Sequence, residues 1–262
     1  LVVLLKGFNG SKVPENYRRI LSEKEKTLEK GRRLVTKYNC RGCHNVEGKG
    51  GDIQKYLKAK AQYPPPLDMG DYHVGERLKG SWLFSFLKEP TPVRTWIKVK
   101  MPTSSFTDKE VRDLTAYFEA LAPSSGYEAG TNQSKDSSVA QKGAEMVGYM
   151  DCGRCHDDGQ KGIEFSLASQ RLRQDWIPKW LKDTRAMIPW TPMPSHWVKK
   201  GDKYTVPTKY SEIETVGDVD TQVDTLKDLI IAYNTAELDF DVSLGEDDGS
   251  SEEGGDSDDE DD

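Results

Sequence analysis

The stretch YNCRGCHNVEGKG, residues 38–50, contains two cysteines separated by two residues, with a histidine directly after the second cysteine. The same arrangement occurs once more, in CGRCH at residues 152–156. Together the two copies contain all four cysteines of the 262-residue chain. Any account of the fold therefore has to explain two thiols and an imidazole at this spacing, used twice.

Three chemistries compete for such a motif. A structural zinc site usually combines two cysteine pairs or adds a distant histidine pair, and a disulfide or dithiol redox pair leaves the histidine unused. Covalent haem attachment uses every residue, because the thiols form thioethers with the haem vinyl groups and the adjacent histidine ligates the iron. We therefore predict two covalently attached haem c groups, held by Cys40, Cys43 and His44 and by Cys152, Cys155 and His156.

The segments around the motifs also repeat. Apolar residues at helical spacing precede both motifs at residues 28–38 and 140–150, with the same offset of 112 that separates Cys40 from Cys152. A capping box from Thr107 to Glu110 predicts the start of a further helix, and the same offset gives a matching apolar stripe at residues 223–233. The chain therefore reads as an internal duplication. Gly31 and Gly143 predict close approach of the terminal helix in each copy, since glycine inside a helix costs about 1 kcal/mol relative to alanine.

These residues resemble tandem class I-type cytochromes c, particularly the dihaem c-type subunits of bacterial respiratory membrane complexes. The resemblance covers about residues 24–122 and 138–236. It implies an all-α fold of two tandem cytochrome c-like helical domains. In each, the first and last helices cross and the haem lies between them and a methionine loop.

Each copy offers a methionine for the sixth iron position. Met101 and Met193 each precede a proline in an irregular segment that follows a Trp-led helix. A thioether ligand favours ferrous iron and raises the reduction potential. The alternatives are that both methionines only fill the core, or that His196 replaces Met193. His73 and Met69 are rivals for Met101.

The domain boundaries follow from composition. The net charge of −7 conceals a C-terminal block, residues 246–262, with 11 acidic and no basic residues, while the rest of the chain has a net charge of +4. Such a block cannot bury a core and is predicted to be disordered. The first residues, LVVLL, are either the end of a trimmed membrane anchor or a frayed terminus. The predicted divisions are a tether at 1–22, domain one at 23–122, a linker at 123–137, domain two at 138–240 and an acidic tail at 241–262.

Two functions fit this organisation. The first is a dihaem cytochrome that transfers single electrons in a respiratory chain, as a subunit of or partner to a quinol-oxidising membrane complex, and that reduces a soluble cytochrome or oxidase. Such a chain is not an enzyme in its own right. The alternative is a dihaem peroxidase-like enzyme, which needs an openable iron and a nearby acid or base. Covalent haem attachment and the resemblance place the chain in the periplasm or on the extracytoplasmic face of a membrane, and the acidic tail argues against a nucleic-acid partner.

Overall fold

The computed structural model of the chain describes residues 14–123, 137–156, 161–207 and 217–233, together with residues 5, 7, 8, 10 and 12. Helices dominate these residues, in agreement with the predicted fold class. Most of the predicted linker, residues 124–136, and the whole predicted acidic tail lie outside the described residues.

The helices of the N-terminal half are α1 (Glu23–Lys37), α2 (Val74–Arg77), α3 (Gly80–Lys88) and α4 (Asp108–Leu121). Those of the C-terminal half are α5 (Ser137–Tyr149), α6 (Gly153–His156), α7 (Ala168–Arg171), α8 (Trp176–Lys182), α9 (Thr184–Met187) and α10 (Val219–Ala232). Short 3₁₀ helices lie at Glu15–Tyr17, Cys40–Gly42, Asp52–Tyr56, Lys60–Gln62 and Phe165–Leu167.

Three two-stranded antiparallel hairpins interrupt the helices, which the prediction of an all-α fold did not include. They pair β1 (Asn45–Val46) with β2 (Lys49–Gly50), β3 (Asp68–Met69) with β4 (Tyr72–His73), and β5 (Val198–Lys200) with β6 (Lys203–Thr205). Each hairpin turns through two residues that include a glycine of positive φ, namely Gly48, Gly70 or Gly201. The hairpins are too short to form a sheet core, so the helices still bury most apolar residues.

Capping boxes fix the first residue of two long helices in the N-terminal half. The Ser22 hydroxyl accepts a hydrogen bond from the Glu25 backbone N–H before α1, and the Glu25 carboxylate accepts one from the Ser22 backbone. Thr107 and Glu110 make the same reciprocal pair before α4, which confirms the predicted helix start.

Two glycines let the long helices cross at close range. A Cβ atom added to Gly31 of α1 would lie 2.0 Å from Cγ of Tyr117 in α4. One added to Gly143 of α5 would lie 2.7 Å from Cβ of Leu229 in α10. No side chain fits at either position without moving its neighbour, so the predicted close approach of the terminal helix is confirmed in both halves.

The apolar stripes of α4 and α10 form the centre of the core. Val111, Leu114, Tyr117 and Phe118 are buried, and so are the predicted counterparts Val223, Leu226, Leu229 and Ile230. Tyr233, which the sequence assigns to the same stripe, lies at the helix end and is 41% exposed, with its ring against Phe165.

The two halves contact each other through short backbone segments that follow α2 and α7. Leu78 and Leu172 form an isolated antiparallel bridge, and each is buried. Among the helices of the described residues, none is long and apolar enough to cross a membrane.

Candidate haem-binding sites

Both Cys-His motifs begin with a residue in the left-handed backbone region. Asn39 has a φ of 51° and Asp151 a φ of 54°, and these two residues are 112 positions apart. Asn and Asp adopt this region more readily than other side-chain-bearing residues. The chain then closes one tight turn, in which the backbone N–H of His44 donates to Cys40 O at 2.8 Å and that of His156 donates to Cys152 O at 3.1 Å. Each turn brings both cysteines and the histidine to one side of the chain.

The histidine rings are held in the same way in both motifs. Nδ1 of His44 lies 2.8 Å from the carbonyl oxygen of Pro65, and Nδ1 of His156 lies 2.7 Å from that of Ile163. A carbonyl can only accept, so Nδ1 carries the proton and Nε2 keeps a lone pair for a metal. Burial lowers the pKa of both imidazoles, and the Arg94 charge lowers that of His44 further. Both rings are therefore neutral, as iron ligands must be.

Burial disfavours the thiolate form of the first cysteine in each motif. All four cysteines are unbridged. Burial raises the pKa of the Cys40 thiol, and burial together with the Asp151 charge raises that of Cys152 to about 12. Reactive cysteines have lowered thiol pKa values instead. Within the described residues no three or more Cys, His, Asp or Glu side chains converge as a metal site.

The two predicted methionine ligands have different surroundings. Met101 is half-buried in the irregular segment before α4 and packs against the core. Met193 is also half-buried, and Nε1 of Trp180 donates a hydrogen bond to its Sδ at 3.1 Å. The Thr184 hydroxyl donates to the Met193 carbonyl at 3.1 Å, so side chains of α8 and α9 position the second methionine from both ends.

The rival ligands lie in hairpins or beside them. Nδ1 of His73 is 2.5 Å from Oδ1 of Asp68, across the β3–β4 hairpin that also contains Met69. The His196 ring lies 6.2 Å from the Trp197 ring, edge to face, and Trp197 is buried with its Nε1 donating to Gln222 at 3.0 Å. The choice among these ligands stays a prediction, as do the eight residues assigned to haem binding.

Aromatic side chains supply most of the large apolar surface near the second methionine. Trp176 and Trp180 stack with ring centroids 5.3 Å apart, and Trp190 packs half-buried against the core. Phe165 stacks on the His156 ring at 4.8 Å. A flat apolar group such as a haem suits walls of this kind, because half-buried aromatic rings gain by being covered.

Sequence reasoning missed three features of these sites. It did not find the carbonyl groups of Pro65 and Ile163, which have no side-chain signal. It did not find that the N–H of Trp180 donates to the sulfur of Met193. It also missed a group of one buried and two half-buried arginines, Arg171, Arg77 and Arg94, which the repeated Arg-Leu before each Trp-led helix could have indicated in part.

Comparison with known proteins bears on the N-terminal half. The family model described as Cytochrome c matches residues 28–122. This match supports a cytochrome c-like domain in that half. The matched range includes Cys40, Cys43, His44 and Met101, and its type supports a covalently bound haem c and a role in electron transfer. Neither the curated proteins nor the solved structures contained a match to the chain.

Proposed function

We propose that the chain is a dihaem c-type cytochrome of two tandem domains that transfers single electrons in a respiratory chain. The observation that carries this proposal is the repeated histidine geometry, since His44 and His156 are both half-buried and both donate Nδ1–H to a backbone carbonyl. The 112-residue offset supports a duplication, because it also relates Gly31 to Gly143 and Tyr117 to Leu229 at the helix crossings.

Each half would use its own residues in the same roles. The thiols of Cys40 and Cys43, and those of Cys152 and Cys155, would anchor the two groups as thioethers. His44 and His156 would present neutral Nε2 atoms. A bound haem c supplies an iron that cycles between ferric and ferrous states. Met101 and Met193 would close the sixth positions, which keeps the ligand set unchanged during electron transfer and limits reorganisation.

The partners and the compartment follow from this role. We propose a quinol-oxidising membrane complex as donor and a soluble cytochrome or oxidase as acceptor, on the extracytoplasmic face of a membrane. Exposed lysines around the β5–β6 turn and before Met101 supply positive charge with which an acidic partner surface could be oriented. They are Lys98, Lys100, Lys199, Lys200 and Lys203.

Selective loss of each attachment motif tests the proposal. The haem content of purified protein is measured from the denatured pyridine adduct for the wild type, for Cys40→Ser with Cys43→Ser, and for Cys152→Ser with Cys155→Ser. We expect two haems per chain in the wild type and one in each double variant. A wild type with one haem, unchanged by the second pair of substitutions, would contradict the dihaem assignment and leave a single cytochrome c domain.

A further inference from the structure

The two halves meet through two segments of similar sequence. RLKGSWLFSFLK at residues 77–88 and RLRQDWIPKWLK at residues 171–182 share the arginine, leucine, tryptophan and lysine positions. Their equivalent leucines, Leu78 and Leu172, form the antiparallel bridge. The backbone N–H of Lys79 donates to Arg171 O, and that of Arg173 donates to Arg77 O, both at 2.9 Å. Equivalent atoms thus exchange places across the contact, as in a local two-fold axis.

The first arginine of each segment crosses to the opposite half. The Arg77 guanidinium lies 5.1 Å from the ring centroid of Trp176, and the Arg171 guanidinium lies 5.8 Å from that of Trp82. Trp82 and Trp176 hold equivalent positions in the two segments. Stacking on aromatic faces orients both guanidinium groups but supplies only weak compensation for their charge.

A third arginine joins this pair from the loop before Met101. Both terminal nitrogens of Arg94 donate to Tyr63 O at 3.1 Å, and the Tyr63 ring lies 6.0 Å from the ring of Trp190, near Met193. Burial and the neighbouring Arg77 charge lower the pKa of Arg94 to about 10 and that of Arg171 to about 9. Arg94 and Arg171 therefore remain positively charged at neutral pH, and the Arg77 charge repels both.

Arg77, Arg94 and Arg171 are together called the arginine cluster. Among the described residues, no carboxylate forms an ion pair with this cluster. Within the described residues, Arg77, Arg94 and Arg171 contact carbonyl and hydroxyl oxygens and aromatic rings rather than carboxylates, and the Nε atoms of Arg77 and Arg171 are buried without a hydrogen-bond partner. The nearest interface carboxylates bind other cations, since Glu76 lies 3.5 Å from Lys179 and Glu119 lies 3.1 Å from Arg173. Burying like charges without an anion costs free energy. We therefore expect the arginine cluster to bind an anionic ligand.

The type of ligand can be inferred from the hydrogen-bond donors of the cluster and from its position between the two predicted haem sites. Planar guanidinium groups bind carboxylates through paired N–H donors. Arg94 bonds the Tyr63 carbonyl, two residues before the Pro65 carbonyl that holds His44 in the first site. Arg171 comes six residues after Phe165, whose ring stacks on His156 in the second. On the basis of the proposed function, we propose that Arg77, Arg94 and Arg171 form one shared site for the propionate carboxylates of both haems.

A shared site predicts a specific change in the reduction potentials of the two haems. A cation near a haem stabilises the ferrous state, which carries one positive charge less than the ferric state. Removing one cluster arginine should therefore lower the midpoint potentials of both haems rather than of one. It should also shift the propionate bending bands in the resonance Raman spectrum, because those bands report hydrogen bonding to the carboxylates.

The experiment compares Arg171→Gln and Arg94→Gln with Arg173→Gln in the haem-loaded protein. Arg173 lies on the same interface, but its side chain bonds Leu78 O and Glu119, so Arg173→Gln perturbs the contact between the halves through these partners. We expect both potentials to fall and the propionate bands to shift in the first two variants, with smaller changes in the third. Arg171→Lys, which keeps the charge, should recover most of the potential shift.

The possible outcomes distinguish failure of the shared site from failure of the proposed function. The shared site alone would be overturned if the wild type binds two haems but the potentials and propionate bands respond no more to Arg171→Gln and Arg94→Gln than to Arg173→Gln. The same holds if only one haem responds. A wild type with fewer than two haems would overturn the proposed function and the shared site together. If Arg171→Gln does not fold, Arg94→Gln decides, since Arg94 takes no part in the backbone bridge.

Discussion

The attachment side and the methionine side of the two halves have diverged to different degrees. On the attachment side, the left-handed residue, the tight turn and the carbonyl bond to the histidine recur at the same relative positions, although the carbonyl comes from Pro65 in one half and Ile163 in the other. On the methionine side, Trp180 donates to the sulfur of Met193, while its counterpart in the first half is Phe86, which has no N–H. The anchoring geometry is therefore nearly the same in both halves, whereas the methionine sides differ, and in the proposed dihaem cytochrome this difference would give the two haems different reduction potentials.

The largest expected effect concerns the helix crossings that both halves share. Gly31→Ala places a Cβ atom 2.0 Å from Cγ of Tyr117, and Gly143→Ala places one 2.7 Å from Cβ of Leu229. Overpacking of this kind costs about 1–3 kcal/mol. We expect Gly31→Ala to reach the upper end, since an aromatic ring must move, and Gly143→Ala to cost less. Chemical denaturation of the haem-loaded protein measures both.

Gly148 provides the matched control for these two substitutions. It lies in α5, and nothing is found within 4 Å of an added Cβ. Gly148→Ala should therefore stabilise the chain by up to about 1 kcal/mol through helix propensity. Equal effects of Gly31→Ala and Gly148→Ala would show that the helices do not cross as closely as described.

The second prediction tests how the methionine sides of the two halves differ. Trp180→Phe gives the second half the residue type found at Phe86 and removes the N–H bond to Met193 Sδ. That bond withdraws electron density from the sulfur and so favours ferrous iron. We expect a lower midpoint potential for the second haem alone and a stability loss of about 1 kcal/mol. Redox titration followed optically resolves the two haems, and a shift of the first haem instead would reverse the assignment.

A smaller effect tests a network found only in the first half. The Tyr117 hydroxyl donates to Glu47 at 3.1 Å, and Glu47 also binds Arg32 and Arg41. Leu229 offers no such hydroxyl. Tyr117→Phe should cost about 1 kcal/mol in thermal unfolding, because the remaining arginines still satisfy the carboxylate. A loss as large as that of Gly31→Ala would mean that the hydroxyl, and not the ring over the glycine, holds α1 to α4.

The smallest effect appears only in acid. A hydrogen bond from Lys37, together with the Thr107 cap, lowers the pKa of the Glu110 carboxyl to about 2 from the ordinary value of 4.5. A lowered pKa contributes stability that is present above the ordinary value and is lost as pH falls through the folded value. Glu110→Gln should flatten the loss of stability between about pH 4.5 and pH 2. Identical acid limbs in both proteins would contradict this role for Glu110.

Much of this organisation could be predicted from sequence because local patterns encode it. The capping box at Thr107, the helical stripe around Leu114 and the cost of Gly31 inside a helix each follow from short-range physics, and the structure bears them out. The bond of His44 to the Pro65 carbonyl could not be predicted, because a backbone acceptor leaves no mark on residue type. The crossing of Arg77 and Arg171 depends on how two similar segments pair, which single-segment periodicity does not reveal.

The central claim is that two haems are bound with both iron positions closed. The most direct test is the optical spectrum of the dithionite-reduced protein before and after addition of carbon monoxide, with haem content taken from the same sample. We predict two haems per chain and no spectral change with carbon monoxide, because Met101 and Met193 are proposed to occupy the sixth positions. A carbon monoxide adduct at one haem would contradict closed ligation and would favour an enzyme of the peroxidase type at the open iron.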